Sequence, residues 1–130
     1  MNHSLLSENY RCRMLPHVPD RKTAIRFSRA EAYHGSFGLI VEVKTPEGEW
    51  IGDFERGPVG LTAVRTAPSA DVIFIAARGL AYFVNVFDPS QCDVVPMVPI
   101  IHVVDAPALG LLILSSFTHL LAYDIDGERW

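Results

Sequence analysis

The strongest constraint on how this 130-residue chain folds is a recurrence at a step of about forty residues. Residues 39–50 and 120–130 each run from an apolar, strand-like stretch through an acidic turn with glycine to a tryptophan. The turns are Glu47-Gly48-Glu49 and Asp126-Gly127-Glu128, and the tryptophans are Trp50 and Trp130. Residues 80–89 form a middle copy, so the three begin at 39, 80 and 120. The segments ahead of them keep the step: Ala67-Pro68 with residues 72–77 parallels Ala106-Pro107 with residues 111–116, 39 positions on. A fixed period of this length marks one supersecondary unit used several times.

The units read as strands. Phe37, Leu39, Val41 and Val43 alternate with Gly38, Ile40, Glu42 and Lys44, the period of two that turns one side of a strand to a core. Pro46 presets φ and Gly48 tolerates φ > 0, so residues 45–49 turn the chain and residues 50–55 return it as a hairpin. Residues 61–66 make a further strand. Residues 72–77 and 80–87 are apolar on both faces, as buried central strands are, with Arg78-Gly79 as the turn between them and Asp88-Pro89-Ser90 as the stop. Residues 98–104 are rich in β-branched side chains, but Pro96 and Pro99 donate no ladder hydrogen bond, which puts the start of this strand at an edge or a bulge. Residues 111–114 and 119–125 form a last hairpin, followed by Asp126-Gly127, a pair suited to tight turns. The strands at 72–77 and 111–114 are expected to be central. Residues 1–22 are polar and broken by Pro16 and Pro19. They read as a basic arm with at most a short helix over 5–14, ahead of a single β-rich domain at 23–130.

The pattern predicts an all-β, mainly antiparallel fold. A forty-residue unit of three or four strands resembles the blades of β-propellers of the quinoprotein and WD types, and residues 110–130 are similar to a quinoprotein-type blade hairpin. Propellers close with about 4–8 blades, whereas three such units are legible here and no strand follows Trp130. The expected architecture is therefore a sandwich or barrel of repeated hairpins. The alternative is a set of blade-like units closed into a ring by oligomerisation, or a piece of a longer array.

Composition narrows the function classes. Hydrophobic residues make up 49% and charged residues 20%, the balance of a packed globule and not of a disordered chain. The longest apolar stretch, 106–114, contains Pro107 and Gly110 and falls well short of the roughly 20 residues a membrane helix needs. Residues 1–8 carry neither the basic n-region nor the apolar core of a secretory signal. Cys12 and Cys92 have no CxxC spacing. One disulfide and two thiols both remain open, and two thiols in a reducing cytoplasm is the simpler reading. The net charge of −4 is uneven: residues 1–29 hold six basic and two acidic side chains, residues 30–130 five and thirteen. An acidic body repels a phosphate backbone, so no nucleic-acid partner is expected, and the arm reads as neutralising its own body.

His102 lies in an apolar strand between Ile101 and Val103, and His119 precedes the last strand with Ser115, Ser116 and Asp124 near in sequence. His102, His119 and Asp124 are the catalytic candidates, because a Ser/His/Asp set is defined by geometry and not by order. There is no Gly-x-Ser-x-Gly elbow. The five histidines (His3, His17, His34, His102, His119) show neither HxH nor HExxH spacing, so no metal is expected. Residues 124–128 resemble the start of a calcium loop but lack its later ligands, and read as an acidic hairpin turn. Gly35-Ser36-Phe37-Gly38 precedes a strand and lacks the lysine of a phosphate loop; it reads as a turn. No cofactor is expected.

These readings converge on a non-enzymatic, cytoplasmic β-rich module that binds a protein or a small ligand. The alternative is a small hydrolase or lyase using His102 and His119 with nearby carboxylates. Apolar side chains on both sides of residues 80–87 and 98–104 would leave a monomer with an apolar patch or an open strand edge, so a homodimer is expected.

Overall fold

The computed structural model describes residues 4–6, 10–28, 38–106 and 109–128. Among these residues there are thirteen strands and no α-helix. Every strand pair is antiparallel except one, and the three sheets are open, with no closed barrel among the described residues. No helix among them is long and apolar enough to cross a membrane. The chain divides into two compact units, residues 1–56 and 57–130.

The first unit is a five-stranded sheet of β1 (Ser4–Leu6), β2 (Arg11–Leu15), β3 (Ala24–Phe27), β4 (Leu39–Thr45) and β5 (Gly48–Phe54), in the order β1-β2-β4-β5-β3. β3 runs parallel to β5. Cys12 stands opposite Val43 and Met14 opposite Val41, so the apolar members of β2 share a face with the alternating valines of β4. Val41, Val43 and Phe54 are fully buried on it, and the rings of Phe27 and Phe54 stack 4.4 Å apart. On the other face Arg13 stands opposite Glu42, and its Nε donates to Glu42 Oε1 at 2.9 Å. Gly38 leads into β4 where a Cβ would run into the Phe54 carbonyl; that close approach lets its N–H donate to the fully buried Asp53 at 2.7 Å.

The second unit contains two four-stranded meanders. One is β6 (Ala63–Thr66), β7 (Val72–Ala77), β8 (Leu80–Asn85) and β9 (Cys92–Val94); the other is β10 (His102–Ala106), β11 (Leu111–Ser115), β12 (Leu120–Asp124) and β13 (Gly127–Glu128), each in sequential order. Their facing sides build one core from Phe74, Ala76, Ala81, Val95, Ile100, Leu112 and Leu114. Leu61, Phe83, Met97, Val103, Leu121 and Tyr123 pack against it half-buried. Arg78 and Gly79 both have positive φ, 44° and 93°, as a two-residue turn matched to strand twist requires. The backbone of this turn is tied down, since Gly79 N–H donates to Leu61 and Ile100 N–H to Gly79.

Several expectations are corrected. Among the described residues of 5–14, residues 5–6 and 11–14 are strand and none is helix. Arg11 and Arg13 alternate with Cys12 and Met14, and the period of two decided the outcome over overall polarity. The strand expected at 98–104 begins only at His102 and continues to Ala106, because residues 96–99 bend around two prolines. The last turn is Ile125-Asp126, since Asp124 pairs with Gly127. β7 is central and buried on both faces, with Ile73 and Ile75 at 0% exposure on one and Phe74 and Ala76 on the other. β11 is central in its sheet, but its outward Leu111 and Ile113 are only half-buried. Trp130, His3, His34 and the Gly35-Ser36-Phe37 part of the expected turn lie outside the described residues.

Candidate functional site

The second unit carries a cleft of about 370 Å3 lined from both of its sheets. The Arg78-Gly79 turn fixes the register that sets Phe83 opposite Phe74 on β7, and Phe83 is also opposite Asp93 on β9. Directly opposed residues project from the same face, so an aromatic ring and a carboxylate leave the sheet side by side. From the second sheet, Tyr123 stands opposite the buried Leu112 and shares its inward face. The Phe83 and Tyr123 rings meet with centroids 4.6 Å apart and planes tilted by 47°. Val72, Val95, Pro68 and Pro96 complete an apolar wall, and Asp124 and Ile125 at the end of β12 are also in the lining. Asp124 Oδ1 accepts the Asp126 N–H at 2.8 Å, which holds this carboxylate at the end of β12.

Two recesses adjoin the cleft. One, of about 400 Å3, shares Val72, Phe83 and Asp93 with it and adds Asn85 and Cys92. The other, of about 210 Å3, shares Ala67 and Pro68 and adds Asp105. No lysine, arginine or histidine lines any of the three among the described residues. The wider electrostatics agree. Residues 57–130 hold seven acidic and three basic side chains, a balance of −4, whereas residues 1–56 hold eight of each. The whole net charge of the chain therefore belongs to the unit with the cleft. Burial, and secondarily the Asp93 carboxylate, pushes the Cys92 thiol up to about 11, so it stays protonated and is a poor nucleophile.

The catalytic candidates are placed as follows. His102 is exposed on β10 opposite Ser115, and Ser115 is in turn opposite Leu120 on β12. His119 is exposed just before β12; its Nδ1 lies 2.6 Å from Thr118 Oγ1 and its backbone N–H donates to Ser116 Oγ. Both histidines thus share one end of the β10–β13 sheet with Ser115 and Ser116. Asp124 lies at the other end of β12, roughly 13 Å along the strand from Leu120 at about 3.3 Å per residue. It belongs to the cleft and not to the histidines. No group of three or more His, Cys, Asp and Glu side chains is placed to hold a metal among the described residues.

In the first unit, Arg11, Arg13 and Lys44 surround Glu42 in a recess of about 160 Å3. Glu42 takes Arg13 at 2.9 Å and Lys44 at 3.9 Å, so much of this charge is satisfied internally. Asp53 Oδ2 is buried with no hydrogen-bond partner among the described residues, and Arg26 Nε stands 4.0 Å from it. The Tyr10 hydroxyl is likewise buried without a partner, and burial, with the nearby Cys12 second, raises its pKa.

Asp93, Phe83 and Tyr123 are the site residues that sequence patterning did not single out. Phe83 reads as plain core within an apolar run, and β9, three residues ending before Pro96, is too short to show a period. Comparison with protein-family models, with curated proteins and with solved structures finds no match to this chain.

Proposed function

We propose that this chain is a non-enzymatic binding module and that a small ligand occupies the cleft of residues 57–130. The observation that carries this reading is the half-buried Phe83–Tyr123 ring pair at the wall of a 370 Å3 apolar cavity with few polar groups. Small-molecule sites have this form: concave, mostly apolar, with a small number of placed polar atoms. The hydrolase or lyase alternative has only the shared sheet end of His102, His119 and Ser115 in its favour. A thermal-shift screen of small aryl compounds tests the reading. Stabilising compounds are expected, with the effect lost in Phe83→Leu and Tyr123→Leu. Stabilisation indifferent to both variants, or ester turnover abolished by His102→Ala, would overturn it.

We also propose that the two meanders are blade-like repeats. In support, β6, β7 and β8 begin 39, 39 and 40 residues before β10, β11 and β12, and both sheets run in sequential order. Homodimer formation is proposed with it. The outward face of β10–β13 leaves Val104 and Leu120 56% and 57% exposed beside half-buried Leu111 and Ile113, an apolar surface of the kind that marks interaction sites. A cytoplasmic location is proposed on the ground that both cysteines carry thiols, as reducing compartments keep them.

A further inference from the structure

We infer that the cleft of residues 57–130 selects a small organic cation, an ammonium or guanidinium group on an apolar body. This deepens the reading of the cleft as a ligand site and rests on it. Asp93 projects beside Phe83 from the same face of their sheet, and Asp124, at the end of β12, is a second acidic residue in the lining. Asp105 adds a third acid in the adjoining recess. Among the described residues Asp93 makes no ion pair, and none of those that line the cleft carries a cationic side chain. The balance of −4 carried by this unit adds a field of the same sign, which raises the local concentration of cations.

The apolar lining decides between kinds of cation. A divalent metal needs six to eight oxygen ligands or several converging nitrogen and sulfur donors, and the described residues offer no such group. Val72, Val95, Pro68 and Pro96 offer carbon instead. An organic cation satisfies both surfaces at once: its body lies on the apolar wall, its head faces Asp93, and the rings of Phe83 and Tyr123 add cation–π attraction. An anionic ligand of the same shape meets like charge with no lysine, arginine or histidine among the described lining residues to offset it. The volume is in the range of one small molecule.

The test uses three probes of one shape on the full chain: 2-phenylethylammonium, 2-phenylethanol and 3-phenylpropanoate, titrated while the Phe83 and Tyr123 ring resonances are followed by NMR. The ammonium is expected to bind most tightly, the alcohol more weakly and the carboxylate least. Asp93→Asn, which keeps the shape, is expected to weaken the ammonium about two- to fivefold and to leave the alcohol unchanged. Added salt should weaken the ammonium alone. A urea midpoint of this variant matching the parent shows that the fold is kept. If the alcohol binds as tightly as the ammonium, or the carboxylate binds more tightly, the cation inference is overturned while the cleft remains a ligand site. If no probe shifts either ring, both fall.

Discussion

The ring of Phe83 on β8 lies 4.6 Å, centroid to centroid, from that of Tyr123 on β12, and this contact joins two sheets that have no strand pairing between them. Both side chains are half-buried, so each contributes less than a fully buried aromatic, whose truncation costs roughly 3–5 kcal/mol. Phe83→Ala is expected to cost about 1–3 kcal/mol on that scale. A double-mutant cycle with Tyr123→Ala should give a coupling of about 0.5–1.5 kcal/mol. Urea unfolding of the two single variants and the double checks it; a coupling near zero would mean that the rings do not help hold the sheets together.

Asp53 offers a sharper contrast. Its Oδ1 accepts the Gly38 N–H, while its buried Oδ2 has no hydrogen-bond partner among the described residues. Asp53→Ala strands the buried Gly38 N–H and should cost about 1–3 kcal/mol, the usual penalty for an unsatisfied buried group. Asp53→Asn keeps the Oδ1 acceptor and removes a buried charge, so it should cost clearly less. Equal losses for the two variants in urea unfolding would show that the charge, and not the Gly38 contact, is what matters.

The fold was legible where one strong local signal stood alone. The alternation of Leu39, Val41 and Val43, the apolar run of Val72–Ala77 and the Arg78-Gly79 turn each specify their element without help from the rest of the chain. β2 was hidden because its outward positions are arginines, whose charge dominates composition although Cys12 and Met14 keep the strand period. β9 and β13 were hidden because three residues and two residues show no period at all. The cleft was hidden for a related reason. It depends on which residue of β9 stands opposite Phe83 and on how a second sheet brings Tyr123 to it, and both are long-range facts that no local pattern contains.

Stability should decline on the alkaline side. A thiol in the unfolded chain ionises near its ordinary pKa of about 8.5, whereas Cys92 in the folded chain is held up to about 11 by burial and then by Asp93. Between those values the folded chain keeps a proton that the unfolded chain has released. Its contribution is therefore complete below the unfolded value and is lost as the pH rises toward 11. Tyr10 is raised as well, chiefly by burial, and extends the decline above the ordinary tyrosine range. Urea midpoints measured from pH 7 to 10.5 should fall, and Cys92→Ala should flatten the first part of the fall. Peptide mapping after iodoacetamide at pH 8 should find Cys92 alkylated far more slowly than a cysteine peptide.

The last expectation separates a buried face from an uncovered one. Ile75 on β7 has 0% exposure, and Ile75→Ala should cost about 2–5 kcal/mol, as buried large-to-small changes do, at any protein concentration. Leu120 on β12 is 57% exposed and Val104 on β10 56% exposed, and both stand on the outward face of their sheet, since Val104 is opposite Ile113 and Leu120 opposite Ser115. In a monomer, Val104→Asp and Leu120→Asp change side chains that are more than half exposed and should leave the urea midpoint within about 0.5 kcal/mol of the parent, as surface changes do. In a dimer that covers this face, a charge there opposes association, and stability depends on concentration because the bound partner contributes to it. Light scattering at tens of micromolar is expected to give a dimer mass for the parent and a monomer mass for both variants, with the Tm of the parent alone rising with concentration. A monomer mass for the parent under these conditions would show that this face is uncovered in solution, and the proposed homodimer would be withdrawn.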